Sequence, residues 1–145
     1  MSRRHRARRV ALQVLYGLDA NPGQDPRALL EEVAPTGTES FDASYALRLV
    51  EGVREHRDRV DQEIAAASRR WRVDRMGRVD RNVLRLAVYE VLFCPETPAP
   101  VILDEAVRLA REFGTEDSPR FVNGVLDPIA RRHRPAEARP AGEAP

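Results

Sequence analysis

Apolar residues recur at helical spacing along almost the whole chain, and no alternating pattern typical of a strand is longer than about four residues. Residues 80–93, DRNVLRLAVYEVLF, are apolar around most of the helical circumference, as in a central helix that is buried on several sides. The 145 residues suffice for one hydrophobic core but not for a second independent domain. The pattern therefore predicts one all-α domain over residues 1–134.

Glycine, proline and small polar residues predict where the later helices begin and end. Gly114 is expected to be a left-handed C-terminal cap, and Ser118 is expected to be the N-cap of the last helix. Pro128 lacks the backbone N–H that a helix interior uses, so a kink or the end of that helix is expected there. Residues 135–145 are rich in Pro, Ala and Glu and are predicted to form a disordered tail.

The only tryptophan, the only cysteine and the lengths of the apolar runs indicate which kind of protein this is and in which cellular compartment it works. Trp71 is the only tryptophan and is expected to anchor the core. Cys94 is the only cysteine, which excludes an internal disulfide and predicts a buried structural thiol in a reducing cytosol. No run reaches about 18 apolar residues, so the sequence predicts a cytoplasmic protein without a membrane segment.

Candidate catalytic and metal-binding groups lack the spacing that chemistry needs. His5, His56 and His133 lie in Arg-rich polar sequence and are predicted to be exposed, with no partner placed for a metal site or a catalytic triad. The glycines form no phosphate-binding loop, and the carboxylates alternate with arginines as in solvated ion-pair faces. The sequence predicts a protein that is not an enzyme and that binds no metal or cofactor.

Positive charge is concentrated at the N-terminus. The net charge is only +1, yet five arginines fall within residues 3–9. Such a cluster is either a solvated helix start or an anion-binding site. Because positive charge near a helix N-terminus opposes the helix dipole, an anionic partner is the better explanation. If all five arginines contacted phosphates of single-stranded RNA, log K would fall with log salt at a slope of roughly −3.5.

Two aromatic residues lie away from the core stripes of their helices. At 100° per residue, Tyr16 lies about 140° from the core stripe of the first helix. It either covers a neighbouring helix or belongs to a protein interface. Phe121 lies about 90° from the centre of the stripe in the last helix, and Arg120 falls on nearly the opposite side from the core. Phe121 either packs at the edge of the core or forms a platform on which an unpaired base stacks.

Three segments together resemble a known family. They are RRHRARRVALQVLY, VDRNVLRLAVYEVLF and LDEAVRLAREFGTEDSPRFVNGVLDPIA, and their order and spacing resemble those of the bacterial transcription antitermination factor NusB over about residues 3–132. The resemblance implies about seven helices in two packed three-helix subdomains with an extra helix. Two positions depart from the family pattern, Pro128 in the last helix and Asp104 in the helix before it.

The resemblance also implies ligands and the residues that contact them. The RNA would be single-stranded boxA RNA from leaders of ribosomal RNA operons, and the protein partner would be NusE, a small-subunit ribosomal protein. The pair would nucleate an antitermination complex on RNA polymerase, and a homodimer of the chain is also possible. The RNA-binding positions would be Arg3, Arg4, Arg6, Arg9, Asp117, Arg120 and Phe121. The NusE-binding positions would be Tyr16 and Asp80.

Two other functions are compatible with the residues. The basic first helix could bind duplex DNA, although no helix-turn-helix with a polar recognition helix is visible. The chain could also be a protein-protein adaptor without direct RNA binding, in which the arginine cluster is only a solvated surface.

Overall fold

The computed structural model describes residues 2–36 and 40–137. Within these residues the chain forms seven α-helices and two short 3-10 turns, and no strand. The helices are α1 (Arg3–Ala20), α2 (Pro26–Val33), α3 (Ala43–Glu55), α4 (Arg57–Ala67), α5 (Arg78–Phe93), α6 (Ala99–Phe113) and α7 (Ser118–His133). Helices α1, α2 and α3 pack against one another, and α5, α6 and α7 form a second group that α4 joins. The predicted all-α fold is confirmed.

Helix α5 is the centre of the molecule. Its ten consecutive residues from Asn82 to Val91 are buried, and it packs against α1, α3, α4, α6 and α7. This is the central helix that the sequence predicts for residues 80–93. Its buried polar side chains all have partners, since Arg85 is paired with Asp61 at 2.9 Å and Asn82 donates to Asp19 at 2.9 Å. Helix α5 therefore joins the two helix groups through both apolar and polar contacts.

The turn between α6 and α7 differs from the prediction. Gly114 has φ −97° and ψ −161°, which is extended rather than left-handed. A Cβ at Gly114 would lie 2.6 Å from Cβ of Ser118 and 2.7 Å from the carbonyl oxygen of Ala110. Glycine is thus required for close approach and not for a positive φ. Ser118 is not the N-cap but the first helical residue, and its hydroxyl accepts a hydrogen bond from the Thr115 N–H at 2.9 Å.

The sequence predicts a kink or the end of the last helix at Pro128, and α7 does not end there but continues to His133. The ring removes the N–H that would bond the carbonyl of Gly124, one turn earlier. Both residues are exposed, so water can hydrate that carbonyl. The opposite face of the helix is held in the core by Ile129 and Ala130 beyond the proline. Burial of the following turn therefore outweighs the lost hydrogen bond.

The predictions for Trp71 and the histidines are wrong. The Trp71 side chain is 59% exposed, and Met76, five residues later, is buried instead. His5 is only 1% exposed. His56 stacks on Phe93 with ring centroids 4.1 Å apart, and His133 pairs with Glu63 at 2.6 Å. The polar sequence around each histidine suggested exposure, but the residues that pack on or pair with the histidines come from distant segments of the chain.

The C-terminal segment is ordered slightly beyond the predicted boundary. Residues Pro135–Glu137 form a 3-10 turn, and the Glu137 carboxylate accepts a hydrogen bond from the Ala99 N–H at 2.9 Å. The first three residues of the predicted disordered tail therefore cap α6, while 138–145 lie outside the described residues. Cys94 is fully buried, and burial raises the pKa of its thiol, as expected of a structural cysteine. No described helix combines the length and apolarity needed to cross a membrane.

Candidate nucleic-acid interface

Helix α1 divides the N-terminal arginines between two faces. The helix begins after Ser2, whose hydroxyl accepts a hydrogen bond from the His5 N–H at 2.9 Å. Because His5 and Arg8 are three residues apart, they share the inward face, and both are buried. Arg3 and Arg4 are exposed, and Arg6 and Arg9 are half-buried at the surface. The five clustered arginines therefore do not share one surface, because Arg8 lies in the interior and the other four lie at the surface.

The buried face forms a polar network with α3, α5 and α6. Arg8 donates to the Glu90 carboxylate at 2.8 Å, and the Tyr45 hydroxyl donates to the same carboxylate oxygen at 2.9 Å. Burial and the neighbouring Glu90 raise the pKa of Tyr45, so its hydroxyl remains protonated and donates. His5 contacts the Glu105 carboxylate through its ring nitrogen Nδ1. The network fixes the start of α1 against the second helix group.

Burial of Arg8 lowers the number of N-terminal arginines that can contact phosphates, and so it lowers the predicted salt dependence of RNA binding. Its side chain is 5% exposed and already paired, so it has no access to a phosphate on the surface. Four of the five N-terminal arginines remain as candidates, which are Arg3, Arg4, Arg6 and Arg9. At about −0.7 per phosphate contact, the expected slope of log K against log salt for these four is roughly −2.8.

The arginines of the first two turns contact the segment before α3. Arg3 donates to the carbonyl oxygen of Phe41 at 3.1 Å, and Arg6 donates to the carbonyl oxygen of Ser40. Arg4 lies 3.9 Å from the Asp42 carboxylate, with its guanidinium carbon 4.1 Å from the centre of the Tyr45 ring. These contacts orient the three side chains along one edge of the molecule.

Arg9 connects this edge to the α6–α7 junction. Its guanidinium pairs with Glu112 at 2.7 Å and lies 5.8 Å from the Phe113 ring centroid, both in the last turn of α6. Helix α7 begins five residues later, and there Asp117 and Arg120 are exposed. The structure thus holds Arg9 against the last turn of α6, from which the chain continues into the segment that carries Asp117, Arg120 and Phe121. None of the contacts described joins Arg3 or Arg4 directly to that segment.

Phe121 lies at the boundary between core and solvent. It is half-buried and packs against the core, while Val122 and Val125 of the same helix are fully or nearly fully buried. Gly124 is exposed, and a Cβ there would meet nothing within 4 Å. One side of the ring therefore packs on the protein and part of it remains accessible. This placement is compatible both with Phe121 as a packing residue at the edge of the core and with Phe121 as a platform on which an unpaired base stacks.

Tyr16 and Asp80 lie at the other end of the α1 surface. Tyr16 is 42% exposed, with the guanidinium carbon of Arg78 5.6 Å from its ring centroid. An open groove of about 400 Å³ runs beside it and is lined by Leu12, Gln13, Tyr16, Val79 and Phe113. Asp80 follows Val79 in the first turn of α5 and is half-buried. We call this surface the tyrosine groove, and Phe113 is common to it and to the Arg9 contact.

Sequence reasoning missed the buried polar residues behind this surface. Glu90, Glu105 and Tyr45 orient α1 from distant segments, so no local pattern marks them. A signal did exist for His5 and Arg8, because they continue the stripe of Leu12 and Leu15 at helical spacing. Within the residues that the structure describes, no three potential metal ligands converge.

Comparisons with known proteins agree with the architecture. The NusB family model matches residues 5–131. Transcription antitermination protein NusB of Desulforudis audaxviator is 44% identical over 138 residues, covering 95% of this chain and 99% of that protein. The NusB protein of Sorangium cellulosum is 46% identical over 130 residues, covering 90% of this chain and 93% of its own length.

Solved structures show the same fold. T. maritima NusB is 37% identical with a TM-score of 0.81, and the match covers 94% of this chain and 96% of that one. A chain in the crystal structure of antitermination factors NusB and NusE in complex with dsRNA is 32% identical with a TM-score of 0.78, covering 91% and 98%. The family match over most of the length, together with these relatives, shows that the chain belongs to the NusB family of non-enzymatic transcription antitermination proteins.

Proposed function

We propose that this cytoplasmic protein binds single-stranded boxA RNA of ribosomal RNA operon leaders together with NusE, and that the pair nucleates an antitermination complex on RNA polymerase. The observation that carries the proposal is the Arg9–Glu112 contact, which joins the arginine edge of α1 to the last turn of α6, five residues before α7 begins. The family relationship supports it, as does a solved structure in which related factors NusB and NusE are in complex with dsRNA.

The proposed RNA surface combines charge with an aromatic edge. Arg3, Arg4, Arg6 and Arg9 attract phosphates in a salt-sensitive way and carry no base preference. Phe121 stacks on an unpaired base, and Arg120 binds the adjacent phosphate. Asp117 lies beside the RNA path, where a carboxylate accepts hydrogen bonds from base amino groups and repels phosphates. Base preference therefore comes from the α7 end of the surface.

The proposed NusE surface is the tyrosine groove together with Asp80. An exposed tyrosine beside an open, largely apolar groove is typical of a protein interface. Phe113 lines the groove and also lies beside Arg9, so the two proposed binding surfaces are continuous. RNA that contacts both proteins raises the effective concentration of each for the other. The chain acts by binding alone and needs no chemical step.

The stacking role of Phe121 is tested with Phe121→Leu. Leucine retains apolar packing at the core edge but lacks the aromatic face, so RNA affinity should fall about tenfold while thermal stability stays close to that of the parent protein. Fluorescence anisotropy with a boxA-like RNA measures the affinity. Equal affinity of the variant and the parent would leave Phe121 as a packing residue only.

The Arg120 contact has a matched control in the same helix. Arg120 and Arg132 are both exposed, at opposite ends of α7. Arg120→Ala should reduce the slope of log K against log salt by about 0.7, whereas Arg132→Ala should leave it unchanged. Titrations at several salt concentrations give the slopes. Identical slopes for the two variants would remove Arg120 from the proposed site.

The tyrosine groove is tested with Tyr16→Ala. Removing an aromatic anchor from an interface costs about 2 kcal/mol, so binding to NusE should weaken about thirtyfold while binding to RNA alone is unchanged. Val101 on α6 is equally exposed at 42%, and Val101→Ala is the control. Isothermal titration calorimetry measures NusE binding. A stronger effect of Tyr16→Ala on RNA than on NusE would contradict the assignment.

The two other functions give different results in the same assays. A protein-only adaptor would bind NusE and show no salt-dependent RNA binding. A duplex-DNA-binding protein would bind double-stranded DNA at least as tightly as single-stranded RNA.

A further inference from the structure

A second arginine-rich segment lies between α4 and α5, and nothing in the proposed function uses it. Residues 69–78, RRWRVDRMGR, contain five arginines and one aspartate around the chain's only tryptophan. We call this segment the tryptophan loop. It carries as many arginines as residues 3–9, where Arg8 is buried.

Trp71 is displayed to solvent from an ordered backbone. Its side chain is 59% exposed, although tryptophan is among the residues that gain most from burial. The Trp71 N–H donates to the carbonyl oxygen of Ser68 at 3.1 Å, and the Ser68 hydroxyl donates to the Trp71 carbonyl oxygen at 3.0 Å. Ser68 is itself buried, so this end of the loop is anchored in the protein. An exposed aromatic face on a fixed backbone is suited to binding.

The other end of the loop is held by α5. Arg81 donates to the carbonyl oxygens of Val73 at 3.3 Å and Asp74 at 3.2 Å, and it is fixed in turn by Asp19 of α1 at 2.8 Å. Met76 anchors the same stretch in the core. The loop therefore loses little conformational entropy when a ligand contacts it.

Most of the loop's positive charge has no internal partner. Arg72 pairs with Asp74 at 3.0 Å. Arg69, Arg70 and Arg75 are exposed and make no side-chain hydrogen bond or ion pair within the described residues. By contrast, Arg4 and Arg9 in the N-terminal cluster each have an acidic neighbour. The tryptophan loop is thus more available to an anionic ligand than the N-terminal cluster is.

We propose that the tryptophan loop is a second contact for single-stranded RNA, where Trp71 stacks on an unpaired base and Arg69, Arg70 and Arg75 bind phosphates. Aromatic faces interspersed with arginines suit an RNA strand, because each nucleotide presents a flat base and a charged phosphate. The loop leads into α5 at Arg78, whose guanidinium carbon lies 5.6 Å from the Tyr16 ring centroid, so the loop adjoins the tyrosine groove, the proposed NusE surface. The inference rests on the proposed function and extends it to RNA that flanks the recognised element.

The experiment uses the full chain and two RNAs. One is a boxA-like element alone, and the other carries about ten additional unpaired nucleotides on each side, within the site size of a single-strand-binding module. Trp71 is the only tryptophan, so its fluorescence reports on this loop alone. The longer RNA should quench Trp71 emission at saturation. Trp71→Ala should weaken binding of the longer RNA about tenfold and leave binding of the short RNA unchanged.

Two further variants separate stacking from charge. Trp71→Tyr retains an aromatic face and should bind the longer RNA nearly as tightly as the parent protein. The triple variant Arg69→Ala, Arg70→Ala, Arg75→Ala should reduce the slope of log K against log salt for the longer RNA by about 2. A triple variant with an unchanged slope would contradict the charge contacts.

The outcomes distinguish this inference from the proposed function. If the short RNA binds with salt dependence and is sensitive to Phe121→Leu, but Trp71 emission is unchanged by the longer RNA, the tryptophan loop is not an RNA contact and the proposed function stands. If neither RNA binds with salt dependence, the proposed function fails and this inference fails with it. If Trp71→Ala weakens NusE binding and leaves binding of the longer RNA unchanged, the loop belongs to the protein interface and the inference is overturned.

Discussion

Replacing Glu90 with leucine is expected to lower the free energy of unfolding by about 3 kcal/mol, because the buried Arg8 guanidinium keeps only the more distant Glu105 carboxylate, 3.9 Å away, as a counterion. Glu90 is 1% exposed and accepts hydrogen bonds from Arg8 at 2.8 Å and Tyr45 at 2.9 Å. Burial alone would lower the pKa of Arg8, but the attraction and hydrogen bond of Glu90, together with Tyr45 and Glu105, raise it. Urea denaturation followed by circular dichroism measures the loss.

The control removes the Arg8–Glu90 pair and its hydrogen-bond partner Tyr45 together, and it leaves His5 and Glu105 in place. In a variant with Arg8→Met, Tyr45→Phe and Glu90→Leu, neither charge of the buried Arg8–Glu90 pair remains, so most of the lost stability should return. The difference between this variant and Glu90→Leu isolates the cost of the unpaired charge. A loss below about 1 kcal/mol for Glu90→Leu alone would mean that water reaches Arg8 and that the pair is not buried in solution.

Gly52→Ala is expected to destabilise the protein by about 3 kcal/mol, at the upper end of the usual cost of overpacking. A Cβ at Gly52 would overlap two ring carbons and the hydroxyl oxygen of Tyr89. That ring is 7% exposed and stacks on Phe93 with centroids 5.3 Å apart, so it has little room to move. The midpoint of urea unfolding should fall while the dependence on urea concentration is unchanged.

Gly124→Ala is the matched control, since both glycines are inside helices. Nothing lies within 4 Å of a Cβ at Gly124, which is exposed. Alanine should therefore stabilise the fold by about 0.5 to 1 kcal/mol through its higher helix propensity. Similar effects of the two substitutions, in sign and size, would show that the contact between Gly52 and Tyr89 does not limit packing.

Helix positions follow from the sequence because local rules decide them. Residues 80–93 are apolar around most of the circumference, and only a central helix can bury such a pattern. Pro100 also lies in the first turn of α6, where its missing N–H carries no cost. Periodicity and proline chemistry act within one helix, and the prediction therefore needs no tertiary information.

Other features depend on distant residues and were mispredicted. Trp71 was expected in the core because it is large and apolar, yet Met76 fills the buried position and Arg81 holds the loop backbone outside. Gly114 was expected to need a positive φ, but the Ser118 side chain is what excludes a Cβ. The exposure of Trp71 and the conformation of Gly114 depend on which side chains come into contact in the folded protein. Local propensity does not specify those contacts.

In the candidate site, too, some features follow from local sequence and others depend on distant residues. The exposure of Tyr16 follows from the helical wheel, and so does the outward direction of Arg120. Arg8, unlike the neighbouring arginines, is buried because it pairs with Glu90, which is 82 residues away in sequence. The roles of the RNA-facing and NusE-facing residues remain predictions that the binding assays test.

Under the proposed function, the pairing of Arg9 with Glu112 makes RNA binding at this position an exchange. A phosphate that takes Arg9 must first displace a carboxylate 2.7 Å away, so the arginine contributes the difference between two ion pairs. A weakly bound anion gains little from that exchange, whereas a strand held at several points supplies the phosphate at high local concentration. If Arg9 binds RNA as proposed, Glu112 competes with the phosphate for Arg9, which disfavours isolated anions and favours extended strands.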